Sequence, residues 1–338
     1  MSPLHILRLR ARAFLALAIV AAIATATACG GGVGAGGTGL TDDGGDGSGG
    51  GQVPLTGPGF AQGPVTGLKP FMVDGVQFKL QAVQVSDDDG NVLKSKDLAL
   101  GMDVMVLGTI IIADASRGAN VYVHTDLVGL VTAPYDARTH RLGVLGQIVQ
   151  VDADTHAEDI AGGAAGLAAG DGVVVSALVD PSTGIYLATR LARATPTDAF
   201  ATRGAVADLD TAGATFRIGT QVFDYAGVPL PALFGNGQIE RVRTRTTPTA
   251  AGHWVVTAFQ PGVTALPNNF PNGRILGIAG DVLFEPTYFY FAGLPVDASA
   301  ATFSPAGAPI APGMRLDVHG VLVNGILHAS EVDVPGTD

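Results

Sequence analysis

Gly101-Met-Asp-Val-Met-Val-Leu-Gly108 and Gly313-Met-Arg-Leu-Asp-Val-His-Gly320 are two copies of one pattern: a glycine, a methionine, then apolar residues at alternate positions. Gly170-Asp-Gly-Val-Val-Val-Ser-Ala177 is a close third copy, and Gly237-Gln-Ile-Glu-Arg-Val-Arg-Thr244 a degenerate fourth. The four starts lie 69, 67 and 76 residues apart. Alternation with a period of two marks a half-buried strand. Recurrence at a nearly fixed spacing sets the architecture before any local assignment. One β-rich unit is therefore expected four times.

Working outward, each unit opens on another Gly-containing strand: Gly63-Pro-Val-Thr-Gly-Leu68, Gly129-Leu-Val-Thr-Ala133, Gly204-Ala-Val-Ala-Asp-Leu209 and Gly277-Ile-Ala-Gly-Asp-Val282. Hairpins follow around Gly75, Gly146, Gly219 and Gly293. Asp74-Gly75 and Asn324-Gly325 carry the residue pairs that a two-residue turn with positive φ requires. A last strand holds Tyr122–His124, Tyr186–Leu191, Trp254–Phe259 or Ile326–Val332. Short helices fit only near Leu98 and between Asp159 and Ala169. About five strands bent at glycines predict a small closed barrel, which leaves no exposed edge. Val104, Val106, Leu316 and Val318 are expected to point inward, each copy forming a separate core.

The order Gly-x-Val, Asn/Asp-Gly-Val, Leu-x-x-Gly-Met-x-Val-x-Val-x-Gly, then Gly-x-x-x-Ala-x-x-Val resembles a family of bacterial envelope proteins. Its members carry tandem copies of a domain of unknown function, number 5666. Leu98–Gly108 and Gly313–Val332 carry the pattern most fully. The resemblance implies a lipoprotein of OB-like barrels and brings no activity with it. The expected fold is all-β, a tandem array of four small OB-like barrels behind a signal peptide and a disordered linker. The expected segments are a signal peptide at 1–28, a tether at 29–61, and repeats at 62–125, 126–194, 200–260 (degenerate) and 273–334.

The N-terminus supplies the location. Arg8, Arg10 and Arg12 precede the apolar run Ala13–Ala24, too short for a span of roughly 20 residues. A basic head, a short apolar core and small residues make a secretory signal. Ala26-Thr27-Ala28 stands before Cys29, the single cysteine. The arrangement resembles a bacterial lipobox, with Ala26 where Leu is usual. It implies a lipid anchor on Cys29 and, with Gly30 after the cysteine, the outer membrane. Residues 30–59 contain 15 glycines with Asp42, Asp43 and Asp46, a composition that cannot offset its ordering entropy.

Cleavage after residue 28 would leave 16 basic against 30 acidic residues, a net charge of −14. That balance repels phosphate backbones and argues against nucleic acid. The expected partners are the membrane, through the anchor, and an envelope protein or glycan.

No nucleophile elbow, no His-Glu-x-x-His and no phosphate-binding loop occurs. The expectation is no enzyme, no catalytic residue and no cofactor. A binding or spacer surface is the leading function; an envelope hydrolase, or a metal-binding protein whose site is confined to one repeat or a junction, is the alternative. Asp87-Asp88-Asp89-Gly90-Asn91 reads as an acidic hairpin tip rather than a calcium loop, because glycine is fourth instead of sixth. Arg241, Arg243 and Arg245 alternate and read as a solvated outer face. Metal binding would fall to Asp317, His319 and His328. A two-residue turn at Asn324-Gly325 sets His328 opposite Val321 and His319 opposite Ser330, on the wet side of the barrel.

Labelling cells with a palmitate analogue tests the anchor. Wild type is expected to take up label and Cys29→Ser to lose it; equal labelling of the two removes the lipoprotein reading.

Overall fold

The computed structural model describes residues 57–80, 83–110, 120–194, 199–232, 234–259, 269–285, 287–292 and 294–334. The signal segment, Cys29 and the tether as far as residue 56 lie outside the described residues. The chain is all-β there, and no helix is long and apolar enough to cross a membrane among the described residues.

Alternating residues make the strands, and glycine-bearing turns fold them back. The N-terminal set is β1 (Gly57–Leu68), β2 (Phe71–Val73), β3 (Val76–Phe78), β4 (Gln84–Asp87), β5 (Val92–Leu93), β6 (Asp103–Ile110) and β7 (Asn120–His124). The next is β8 (Leu127–Asp136), β9 (Arg141–Val144), β10 (Gln147–Gln150), β11 (Gly172–Val179) and β12 (Tyr186–Arg193). Then come β13 (Phe200–Asp210), β14 (Thr215–Ile218), β15 (Gln221–Asp224), β16 (Ile239–Thr244) and β17 (Trp254–Phe259). The C-terminal set is β18 (Asn269–Glu285), β19 (Tyr288–Phe291), β20 (Leu294–Asp297), β21 (Thr302–Ser304), β22 (Arg315–Val323) and β23 (Ile326–Asp333).

The second set closes on itself: β8–β9–β10, then β12 parallel to β10, then β11, which returns to β8. The third and C-terminal sets close in the same order, again with one parallel pair each. That order, first–second–third–fifth–fourth–first, is the OB order. In the N-terminal set the third position is divided between β3 and β4; β4 runs parallel to β7, and β3 meets β6 at Phe78 and Ile110. The hairpin turns follow their chemistry: Asp74 and Gly75 have φ of 47° and 75°, Asn324 and Gly325 of 51° and 79°. Short 3-10 turns at Ser95–Asp97 and Gly163–Gly166 occupy the places where short helices were allowed.

Two expected boundaries move. Residues 57–61, assigned to the tether, are strand, because β1 pairs with β6 on one side and with β18 on the other. Pairing with β6 orders the Gly57-Pro58-Gly59 stretch, and β18 adds a second partner from Phe60 on. The last set likewise begins at Asn269 rather than 273.

Val104, Val106, Leu316 and Val318 are all fully buried, as their alternation requires. Each set encloses its own main apolar cluster, and two phenylalanines cross between them. Phe60 of β1 packs into the C-terminal core, and a Cβ on Gly273 would overlap its ring. Phe200 of β13 packs into the second core in the same fashion. Each crossing accompanies a ladder between barrels: β1 runs parallel to β18, and β13 runs antiparallel to β8. The N-terminal barrel therefore joins the C-terminal one, and the second joins the third. Leu178, Leu276 and Ile278 then pack the second barrel on the last. Each barrel thus keeps the apolar core expected of it, and Phe60, Phe200 and the Leu178 contact tie those cores to their neighbours.

Phe60→Ala removes a ring from a core that β1 does not itself enclose. The expected cost is about 3–5 kcal/mol. Hydrogen exchange should rise in β18 and β22 as well as in β1; a change confined to residues 57–124 would contradict the shared core.

Candidate functional site

The acidic tip and the arginine stripe meet. Asp87 satisfies the turn, its Oδ1 accepting the amides of Asp89 (3.0 Å) and Asn91 (2.8 Å). Asp88 turns inward instead, with its side chain 1% exposed. Its Oδ1 lies 2.9 Å from His124 Nδ1, and its Oδ2 accepts the Thr125 amide at 2.9 Å. Arg241 arrives from β16, also 1% exposed, with Nε 3.5 Å from Asp88 Oδ2. Its Nη1 donates to Asp89 Oδ1 at 2.7 Å, and Nη2 and Nε donate to Thr125 Oγ1 and O at 3.1 and 3.2 Å. The solvated-face expectation thus fails for Arg241, although Arg243 is only half-buried and Arg245 is exposed. The outer face of β16 is covered by the β4–β5 hairpin, and a guanidinium stripped of water needs fixed acids in place of it.

Three further groups complete this junction. Asp103 stands opposite His124 across β6 and β7. Asp126 links the first two barrels, its Oδ2 accepting the Ala177 amide at 2.8 Å. Arg203 lies opposite Arg241 on the β13–β16 ladder. Burial, and then the Asp126 charge, holds the Asp103 carboxyl well above the usual range. Burial likewise pushes Asp126 up to about 6 against the pull of Arg203. Burial lowers His124, with Arg203 adding to the effect. Asp88 resists its own burial and sits below the ordinary value, through the His124 hydrogen bond and charge. A neutral His124 therefore donates Nδ1–H to an ionised Asp88. His124 Nε2, Arg203 Nη1 and Glu240 Oε2 are buried without a hydrogen-bond partner.

A raised carboxyl beside an imidazole resembles an acid–base pair. Here, however, Asp103, His124 and Asp126 are all closed off from solvent. What these groups accomplish is to clamp three barrels together.

The second junction holds the expected metal residues. Val321 does face His328, as the turn requires, but the ladder shifts between His319 and Gly320. This β-bulge sets His319 opposite Glu331 rather than Ser330, and Asp317 opposite Asp333. His328 is exposed and pairs with Asp297, Nδ1 to Oδ2 3.4 Å. Asp317, His319 and Asp333 instead bring ligand atoms within 4.8 Å of one another. Their side of the barrel is not wet. Arg274 of β18 and Asp74 of the β2–β3 turn cover it, with Arg274 Nε 3.1 Å from Asp74 Oδ2 and Nη2 2.5 Å from Asp317 Oδ2. Burial and then the Asp317 charge push Asp74 up to about 6. Asp317 stays below its usual value despite burial, because nearby His319 and the Arg274 hydrogen bonds favour its charged form.

Asp103, His124, Asp126 and Arg203 escaped the sequence reading, as did Asp74, Arg274 and Asp333. One signal was available: Met105, Val174, Arg241 and Asp317 hold equivalent, outward positions in the four copies and share no chemistry. An outward strand position that alternates between apolar and charged marks a face covered differently each time.

Residues 128–192, which span the second barrel, match the family model described as Domain of unknown function (DUF5666). The second barrel is therefore similar to a DUF5666 domain. No curated protein and no solved structure matches it. The DUF5666 segment contains Ala177, whose amide binds Asp126, so the matched barrel is one of the three in the Arg241 junction.

Asp126 gives the junction a pH dependence of definite sign. Its carboxyl is raised in the fold, so the unfolded chain loses the proton first. The stability it contributes is complete below about pH 4 and is lost as pH rises through about 6. Folding near pH 5 should take up roughly one more proton in wild type than in Asp126→Asn, which keeps an acceptor for Ala177. Unfolding curves from pH 4 to 7 whose slopes are equal for the two proteins would contradict this.

Proposed function

We propose that this DUF5666-like chain is a lipid-anchored, non-enzymatic cell-envelope protein whose barrels are copies of one unit and act as a rigid spacer. One observation carries the reading: the ionisable groups most suited to chemistry are buried between barrels as clamps. Arg241, Asp88 and His124 are each 1% exposed in their side chains. A spacer must transmit its length, and junctions of matched buried charge hold barrels at fixed angles where linkers would let them swing.

The anchor at Cys29 and the glycine-rich tether would set this body off a bilayer, in the outer membrane by the residue after the cysteine. The excess of acid supports repulsion from anionic surfaces. Against a glycan-binding role stands the surface composition. Of the exposed large apolar side chains among the described residues, Tyr290 alone is aromatic. Sugar recognition draws on aromatic faces, whereas docking to an envelope protein does not depend on them.

Two measurements test the reading. The full chain is expected to turn over no glycan or peptide substrate, and its pulldown from envelope extract should match the Cys29→Ser control. Hydrolysis that falls in His124→Gln would make it an enzyme. A partner captured by wild type and lost in Tyr290→Ala would make it a binding protein.

A further inference from the structure

The cluster where β22 and β23 cross the Arg274 junction has more negative charge than its neighbours neutralise. Asp74, Asp317, Glu331 and Asp333 surround Arg274, with Arg315 acting on Asp74 as a second cation. His319 stands among them, its Nε2 3.3 Å from Asp317 Oδ1 and its Nδ1 3.9 Å from Glu331 Oε2. Nε2 is closed off from solvent and has no hydrogen-bond partner, so its approach to Asp317 is close but not aligned for one. A buried imidazole nitrogen without a partner is uncommon and calls for an occupant.

We propose that Asp317, His319 and Asp333 form a binding site for a divalent cation of the zinc class. The inference is independent of the spacer reading. Ligands about 2.0–2.1 Å from a tetrahedral Zn²⁺ stand about 3.3 Å apart. His319 Nε2 and Asp317 Oδ1 already have that separation. Asp333 completes the set with all ligand atoms inside 4.8 Å. One imidazole with two carboxylates suits Zn²⁺ better than Ca²⁺ or Mg²⁺, which take oxygen ligands alone.

The scaffold is built for the purpose. Asp317 and Asp333 face each other across a ladder, and the bulge at Gly320 moves Glu331 rather than Ser330 opposite His319. A Cβ on Gly320 would strike the His328 carbonyl, so glycine is what permits the bulge. Bulges commonly re-aim side chains beside sites. Arg274 holds Asp317 in place, donating Nε to Oδ1 at 3.1 Å and Nη2 to Oδ2 at 2.5 Å, as outer partners of metal ligands do. Nothing equivalent exists in the other barrels, where Asp317 is replaced by Met105, Val174 and Arg241 and His319 by Leu107, Ser176 and Arg243. The site belongs to the C-terminal barrel and the junction that covers it.

Calorimetry with ZnCl₂ on the chelator-stripped full chain at pH 7.5 is the test, with Co²⁺ absorption as a second readout of nitrogen and oxygen ligation. Wild type and His328→Ala are expected to bind one ion at micromolar concentration. His319→Gln and Asp333→Asn should weaken binding at least tenfold while unfolding at temperatures close to wild type. Lowering the pH to 5 should weaken wild-type binding, because protons compete with the metal for its ligands. Absence of saturable binding in wild type overturns the proposal. So does binding that survives His319→Gln, or that His328→Ala abolishes.

Discussion

A guanidinium taken out of water must find its counter-charges already in place, and Arg241 imposes that condition on two barrels at once. Its partners come from the β4–β5 hairpin and from Thr125 at the end of the first barrel, while its own strand belongs to the third. Removing one member of such a set leaves a buried charge unmatched, at a cost of several kcal/mol. The barrels pack as one body although each has its own apolar centre.

The same condition explains why spatial neighbours are not sequence neighbours. β1 joins β18, and β8 joins β13, so the outer barrels pair with each other and the inner ones likewise. Both ladders are accompanied by a phenylalanine driven into the neighbouring core, Phe60 in one case and Phe200 in the other. At the first of these, Gly273 opens the space that the ring fills. Apolar insertion, backbone pairing and buried charge therefore act at the same interfaces, each limiting the freedom that the others leave.

Divergence among the copies follows from their positions. The inner position of Val106, Val175, Val242 and Val318 is Val in every barrel, while Glu240 takes the place of Val104, Val173 and Leu316 in the third. An outward position meets a different neighbour in each, and its chemistry follows that neighbour: Met105 in one place, Asp317 opposite Arg274 in another. Charged residues on these faces are thus matched between barrels rather than repeated along the chain. The Asp317, His319 and Asp333 cluster is one product of that matching.

Periodicity in the sequence determined the strands, the hairpin turns and the inward residues. Alternation and Asn-Gly or Asp-Gly pairs act over a few residues and leave local marks. The resemblance to DUF5666 proteins was legible in the same patterns, and the match over residues 128–192 agrees with it for the second barrel. Contacts far apart in sequence leave no such mark. That Arg241 would meet Asp88, 153 positions away, depended on how closed barrels stack, and no local pattern encodes it. A bulge at Gly320 shifted the β23 register past it by one residue, enough to replace Ser330 with Glu331 opposite His319 and to leave His328 on Asp297. Strand identity is a property of short-range alternation and was legible. Which outward faces become interiors is a property of packing, and only the tertiary structure decided it.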